Sequence, residues 1–129
     1  MNVLIVEDDN AMAQMCAKLI RRHGHTTHLA RSGEEALAIM AEGQGIDVVV
    51  SDVQMPRISG IQLLMQLRAL DESLPIILMT GYTHIINASQ ALTLGASDFI
   101  VKPFDSNTFM DCIERVLRLP VNFPYTSPE

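Results

Sequence analysis

The run Val48-Val49-Val50-Ser51-Asp52 constrains this chain more than any other stretch. Three consecutive β-branched residues have stiff side chains that suit extended backbone, and an unbroken apolar run suits a strand buried on both faces of a parallel sheet. The run then stops at a carboxylate. In an open α/β sheet, ligands bind in the crevice beyond the carboxyl ends of the strands. Asp52 is therefore either an ordinary turn former or an acid poised for chemistry, and the rest of the chain decides between the two.

The same pattern of strand followed by acid occurs at residues 2–6, Asn-Val-Leu-Ile-Val, which end in Glu7-Asp8-Asp9. From Asn10, the apolar positions Met12, Met15, Cys16, Leu19 and Ile20 recur at helical spacing, and Arg21-Arg22-His23-Gly24 has the cations and glycine of a helix C-terminus. Residues 26–30 read as a second strand. Ser32 with Glu35 predicts a capping box for a helix carrying Ala36, Leu37, Ile39 and Met40, closed by the Gly43-Gln44-Gly45 turn. After the valine strand and a loop with Pro56 that ends near Ser59-Gly60, Ile61, Leu64, Met65 and Leu67 predict a third helix to about Asp71. Residues 76–79 form a fourth strand running into Thr80-Gly81. A helix is expected over 83–94, although its periodicity is poor. Residues 98–101 are a fifth strand that ends in Lys102-Pro103, and a last helix starts near Asp105, presents Phe109, Ile113, Val116 and Leu117, and stops before Pro120.

Strand and helix thus alternate five times, which predicts an α/β fold: a parallel sheet with helices on both faces. Right-handed crossovers leave few windings. The flavodoxin-like five-stranded order 2-1-3-4-5 is adopted by analogy with known doubly wound proteins rather than derived. With 129 residues, 48% hydrophobic, the chain suits one domain over 1–119, and residues 120–129, with three prolines, read as a tail or linker stub. A net charge of −6 disfavours direct binding to nucleic acid or to an anionic membrane. No apolar run is long enough to span a bilayer and no leader pattern opens the chain, so a soluble cytoplasmic protein is expected. Cys16 and Cys112 lie in apolar helical patterns without metal-ligand spacing and read as buried, reduced thiols.

In that winding, Glu7, Asp8, Asp52, Thr80 and Lys102 share one rim of the sheet. Crowded carboxylates resist ionisation unless a cation is near. Mg²⁺ takes hard oxygen ligands and few carboxylates, Lys102 supplies a compact positive charge, and Thr80 supplies a hydroxyl. These are parts for phosphoryl transfer, with Asp52 as an aspartyl-phosphate nucleophile.

The stretches Val3-Leu4-Ile5-Val6-Glu7-Asp8, Ser51-Asp52-Val53-Gln54-Met55-Pro56, Met79-Thr80-Gly81, Gly95-Ala96 and Phe99-Ile100-Val101-Lys102-Pro103 resemble the receiver domain of two-component response regulators over residues 2 to about 119. The resemblance implies that Asp52 accepts phosphate from a phosphohistidine on a sensor histidine kinase or histidine phosphotransfer protein. Asp8, Asp52 and the Gln54 backbone carbonyl would hold Mg²⁺, with Glu7 acting mostly through water. Lys102, joined to Pro103 by a cis bond, would pair with the phosphoryl oxygens; Thr80 would swing to the phosphate and Phe99 would turn inward behind it. Gln54 and Tyr82 would influence phosphate lifetime. The face of helix 83–94, strand 98–101 and helix 105–119 would meet an effector or form a receiver homodimer. Glu7 stands where many receivers have Asp, and Phe99 where Tyr is frequent.

The rival readings are weaker. A haloacid-dehalogenase-type phosphatase needs an acid two residues after the nucleophile, where this chain has Gln54. A flavodoxin needs a Ser/Thr/Gly-rich phosphate loop where this chain has Glu7-Asp8-Asp9. A binding module that works without phosphorylation would not need the full set of acid, Thr and Lys residues. His23, His25, His28 and His84 show no metal-ligand grouping and are expected at the surface, and Arg57 is expected to be solvated beside the site.

Overall fold

A computed structural model describes residues 1–81, 90 and 92–118. The expected helix over 83–94 falls mostly outside the described residues, as do Tyr82, His84 and the tail. In chain order, the elements are β1 (Asn2–Val6), α1 (Asn10–Arg22), β2 (Thr26–Ala30), α2 (Gly33–Ala41), β3 (Val48–Asp52), α3 (Gly60–Leu70), β4 (Ile76–Gly81), β5 (Asp98–Lys102) and α4 (Ser106–Arg118). The strands form one parallel sheet in the order β2-β1-β3-β4-β5, as expected.

Alternation along the strands divides the core into two layers, because successive side chains leave a strand on opposite faces. Val3, Ile5, Val48, Val50, Ile77 and Met79 pack against Cys16, Ala17 and Ile20 of α1 and Phe109, Ile113 and Val116 of α4. Leu4, Val6, Val49, Ile76 and Leu78 pack on the other side, against Ala36 of α2 and Leu63, Leu64 and Leu67 of α3. All five residues of β3 are buried, which is the environment its valines indicate.

The ends of the elements follow local chemistry. Asp9 caps α1, its Oδ1 accepting from the N–H groups of Ala11 at 3.0 Å and Met12 at 3.3 Å. Asp9 is thereby separated in role from its acidic neighbours. Ser32 caps α2 through the Glu35 N–H, while the reciprocal capping box forms at Ser59 and Gln62, at the end of the loop after β3. Asp105 accepts from the Thr108 N–H at 2.7 Å, so it stands just before the last helix, as its position suggested. β3, β4 and β5 each run slightly further than the apolar runs imply, and take in Asp52, Thr80-Gly81 and Lys102. Those polar residues keep the ladder because their neighbours pair with them: Asp52 lies opposite Met79, Thr80 opposite Val101 and Gly81 opposite Lys102. Among the described residues, no helix is long and apolar enough to cross a membrane.

The free thiols of Cys16 and Cys112 are both buried, as expected. His25 departs from its expected surface placement: its side chain is 13% exposed, with Nε2 3.6 Å from Glu114 Oε1. His23 is exposed and His28 half-buried.

Candidate functional site

Parallel pairing brings the C-terminal ends of β1, β3, β4 and β5 to one edge, and with them the residues that carry charge. Glu7 follows β1 and is 1% exposed; Asp52 closes β3 at 9% and Thr80 lies in β4 at 0%. Asp8 and Gln54 are exposed beside them. Lys102, at the end of β5, reaches across β4 to the acids. Its Nζ lies 2.8 Å from Glu7 Oε1 and 3.3 Å from Asp52 Oδ2. The structure thus brings together Glu7, Asp8, Asp52, Thr80 and Lys102.

The electrostatics follow from burial. Removal from water pushes the Glu7 carboxyl up to about 7, and its contact with Asp52 adds to this, while Lys102 partly opposes it. For Lys102, burial alone favours the neutral amine, but the hydrogen bond to Glu7 and the charges of Asp52 and Glu7 outweigh it and hold the ammonium above its ordinary value. Beneath the site, burial pushes the Cys16 thiol up to about 12, with the Glu7 charge adding to the effect. Cys16 therefore serves as packing rather than as a nucleophile.

Two observations bear on a cation. Glu7, Asp8 and Asp52 can each offer an oxygen such that all the ligand atoms lie within 4.8 Å of one another. Glu7 Oε2 is buried and, among the described residues, has no hydrogen-bond partner. A buried carboxylate oxygen without a donor is costly, and an all-oxygen set with an open, solvated side suits a hard divalent ion. The residues fit such an ion.

The remaining candidates flank this centre. Thr80 Oγ1 donates to the Gly81 carbonyl at 3.3 Å, a contact confined to its own strand. The Gln54 N–H donates to Asp52 Oδ1 at 3.3 Å, fixing one carboxylate oxygen from the loop. Phe99 lies opposite Leu78 and is half-buried against the α2/α3 layer. The Lys102–Pro103 peptide bond is cis. Arg57 is solvated, with 73% of its side chain exposed, but it also pairs with Glu34, its Nε 3.0 Å from Glu34 Oε2. No local sequence signal marks that partner.

A family model described as the response regulator receiver domain matches residues 3–114. The chain is 36% identical over 117 residues to the regulatory protein AtoC of Escherichia coli, covering 91% of this chain and 25% of that protein. It is 37% identical over 113 residues to the response regulator protein FleR of Pseudomonas aeruginosa, covering 88% of this chain and 24% of that one. The chain thus spans about a quarter of the length of these relatives. Among solved structures, the receiver domain of NtrX from Brucella abortus superposes with a TM-score of 0.88 at 28% identity, over 92% of this chain and 99% of that domain.

Proposed function

The chain belongs to the response regulator receiver domain family, the signalling receivers of two-component systems, and from that premise we propose that Asp52 is the phosphoacceptor of a phosphorylation switch. The donor is a phosphohistidine on a sensor histidine kinase or a histidine phosphotransfer protein. An Asp52 oxygen forms the new P–O bond as the donor's P–N bond breaks, and the leaving imidazole keeps the electron pair and takes up a proton. The domain assists this transfer and the later hydrolysis without being a turnover enzyme.

The observation that carries the reading is the position of the Lys102 ammonium, 2.8 Å from Glu7 and 3.3 Å from Asp52, so that a cation already stands where phosphoryl oxygens would arrive. Asp8, Asp52 and the backbone carbonyl of Gln54 are the groups we assign to Mg²⁺, with Glu7 acting through water. When bound, Mg²⁺ offsets the crowded negative charge and the charge that develops on the phosphoryl oxygens. The Thr80 hydroxyl gives up its contact with the Gly81 carbonyl and turns to a phosphoryl oxygen. Phe99 then moves inward from its half-buried place, which couples the modification to the face of β5 and α4. That face, with 83–94, would meet an effector or a second receiver. Gln54 and Tyr82 are assigned to phosphate lifetime, and 120–129 to a tail beyond a receiver unit of 1–119.

The test is incubation with acetyl phosphate and Mg²⁺ followed by intact-mass measurement. The wild-type chain gains one phosphoryl group and Asp52→Asn gains none. Labelling of Asp52→Asn at another residue, or hydrolysis of a phosphate ester over many turnovers, would overturn the assignment.

A further inference from the structure

Arg57 has φ +67°, the one positive value at a residue other than glycine among the described residues. An L side chain is disfavoured there, because its Cβ approaches the following carbonyl. The side chain carried at this strained position makes an ion pair to Glu34 in the first turn of α2, at 3.0 Å. The next residue adds an apolar contact to the same place. Ile58 covers Gly33 so closely that a Cβ on the glycine would stand 2.9 Å from Ile58 Cβ and Cγ2. The loop after β3 therefore touches the start of α2 at two adjacent points, one ionic and one apolar.

That loop is closed at its far end, where the Gly60 N–H donates to the Val53 carbonyl at 2.8 Å. Between the two fastenings lies Gln54, whose N–H holds Asp52 Oδ1. Arg57 is three residues along this closed loop from Gln54. We propose that the Arg57–Glu34 ion pair sets the position of this loop, which makes Arg57 a positioning residue for divalent-cation binding at Asp52 through the Gln54 backbone. The inference rests on the Mg²⁺ reading above. Both side chains are largely open to water, 73% and 44% exposed, so the pair tunes the site rather than creating it.

The test is Mg²⁺ titration of the whole chain by calorimetry, with the Gln54 amide followed by ¹⁵N NMR. Arg57→Gly accepts the left-handed backbone but lacks the tether; Glu34→Gln leaves the backbone alone and weakens the tether. Positioning predicts that both lose affinity in the same direction, by about two- to fivefold, with a shifted Gln54 amide, and that the reversed pair Glu34→Arg/Arg57→Glu recovers most of the loss. Simple charge repulsion predicts opposite signs, because removing a cation favours Mg²⁺ and removing an anion disfavours it. Opposite signs, or wild-type affinity in both single variants, would overturn the inference while leaving the metal reading intact. A wild-type chain that binds no Mg²⁺ would instead overturn the metal reading and the inference with it.

Discussion

Gly60 stands against the end of β3 so closely that a Cβ on it would overlap the Asp52 carbonyl oxygen and lie 2.8 Å from Val53 Cα. The first residue of α3 is thereby wedged onto the backbone of the proposed phosphoacceptor. The obstacle is main chain rather than a flexible side-chain end, so strand and helix have to separate to admit a methyl group. Overpacking of this kind costs roughly 1–3 kcal/mol. Gly60→Ala is expected to lower the thermal midpoint by several degrees and to slow labelling by acetyl phosphate. A variant with the wild-type midpoint would refute the wedge.

Lys102 is the group that lets Glu7 and Asp52 sit side by side, at 2.8 and 3.3 Å from its Nζ. Lys102→Met keeps most of the side-chain volume and removes the charge. Preorganised charge at a transferring group is commonly worth about two orders of magnitude or more in rate. Labelling of Asp52 by acetyl phosphate is expected to fall at least about tenfold, with Mg²⁺ affinity unchanged or higher, since a competing cation has gone. Circular dichroism identifies a variant that has simply unfolded. A folded variant labelled at the wild-type rate would remove Lys102 from the phosphoryl site.

The sheet was legible because each buried strand is written as a run of apolar, often β-branched residues, and because β1, β3, β4 and β5 each break into a polar residue at the same rim. Val48 to Asp52 carried both messages at once. The winding itself rests on analogy, since local periodicity does not say which strands are neighbours. Two features depend on contacts distant in sequence: Arg57 meeting Glu34, and His25 tucked beside Glu114 instead of lying in solvent. The reciprocal box of Ser59 and Gln62 is different, since Ser-x-x-Gln is a local signal that the sequence does carry. Glu7 is the instructive case. The family resemblance implies a role at the metal through water; the packing adds that its Oε1 is held by Lys102 while its Oε2, among the described residues, has no hydrogen-bond partner.

Burial pushes both thiols up to about 12, with the Asp98 charge adding to the effect at Cys112 and the Glu7 charge at Cys16. Iodoacetamide at pH 8 is therefore expected to leave both unmodified in the folded chain and to modify both in concentrated guanidinium. Because the folded values lie above the ordinary 9.0, the folded state holds more protons between the two values. Their contribution to stability is complete below about pH 9 and declines as pH rises towards 12. Urea midpoints that rise over that interval in the wild type relative to Cys16→Ala/Cys112→Ala would contradict the assignment.

Arg68 joins α3 to the turn that leads into β5. Its Nε donates to the Gly95 carbonyl at 2.8 Å and its Nη1 to the Asp71 carbonyl at 3.1 Å. Gly95, at φ +112°, lies directly beneath the side chain, where a Cβ would stand 3.0 Å from Arg68 Nε. The half-buried guanidinium thus satisfies two carbonyls from two separate nitrogens held in one rigid plane, whereas an ammonium would have to offer both bonds from a single flexible point. Hydrogen bonds from a charged donor are worth about 1.5–3 kcal/mol, reduced here by partial exposure to water. Arg68→Ala is expected to lower the urea midpoint by an amount equivalent to roughly 1–3 kcal/mol, and Arg68→Lys to recover less than half of it. Full recovery by lysine would show that charge alone, rather than the rigid planar fork, holds the turn to α3.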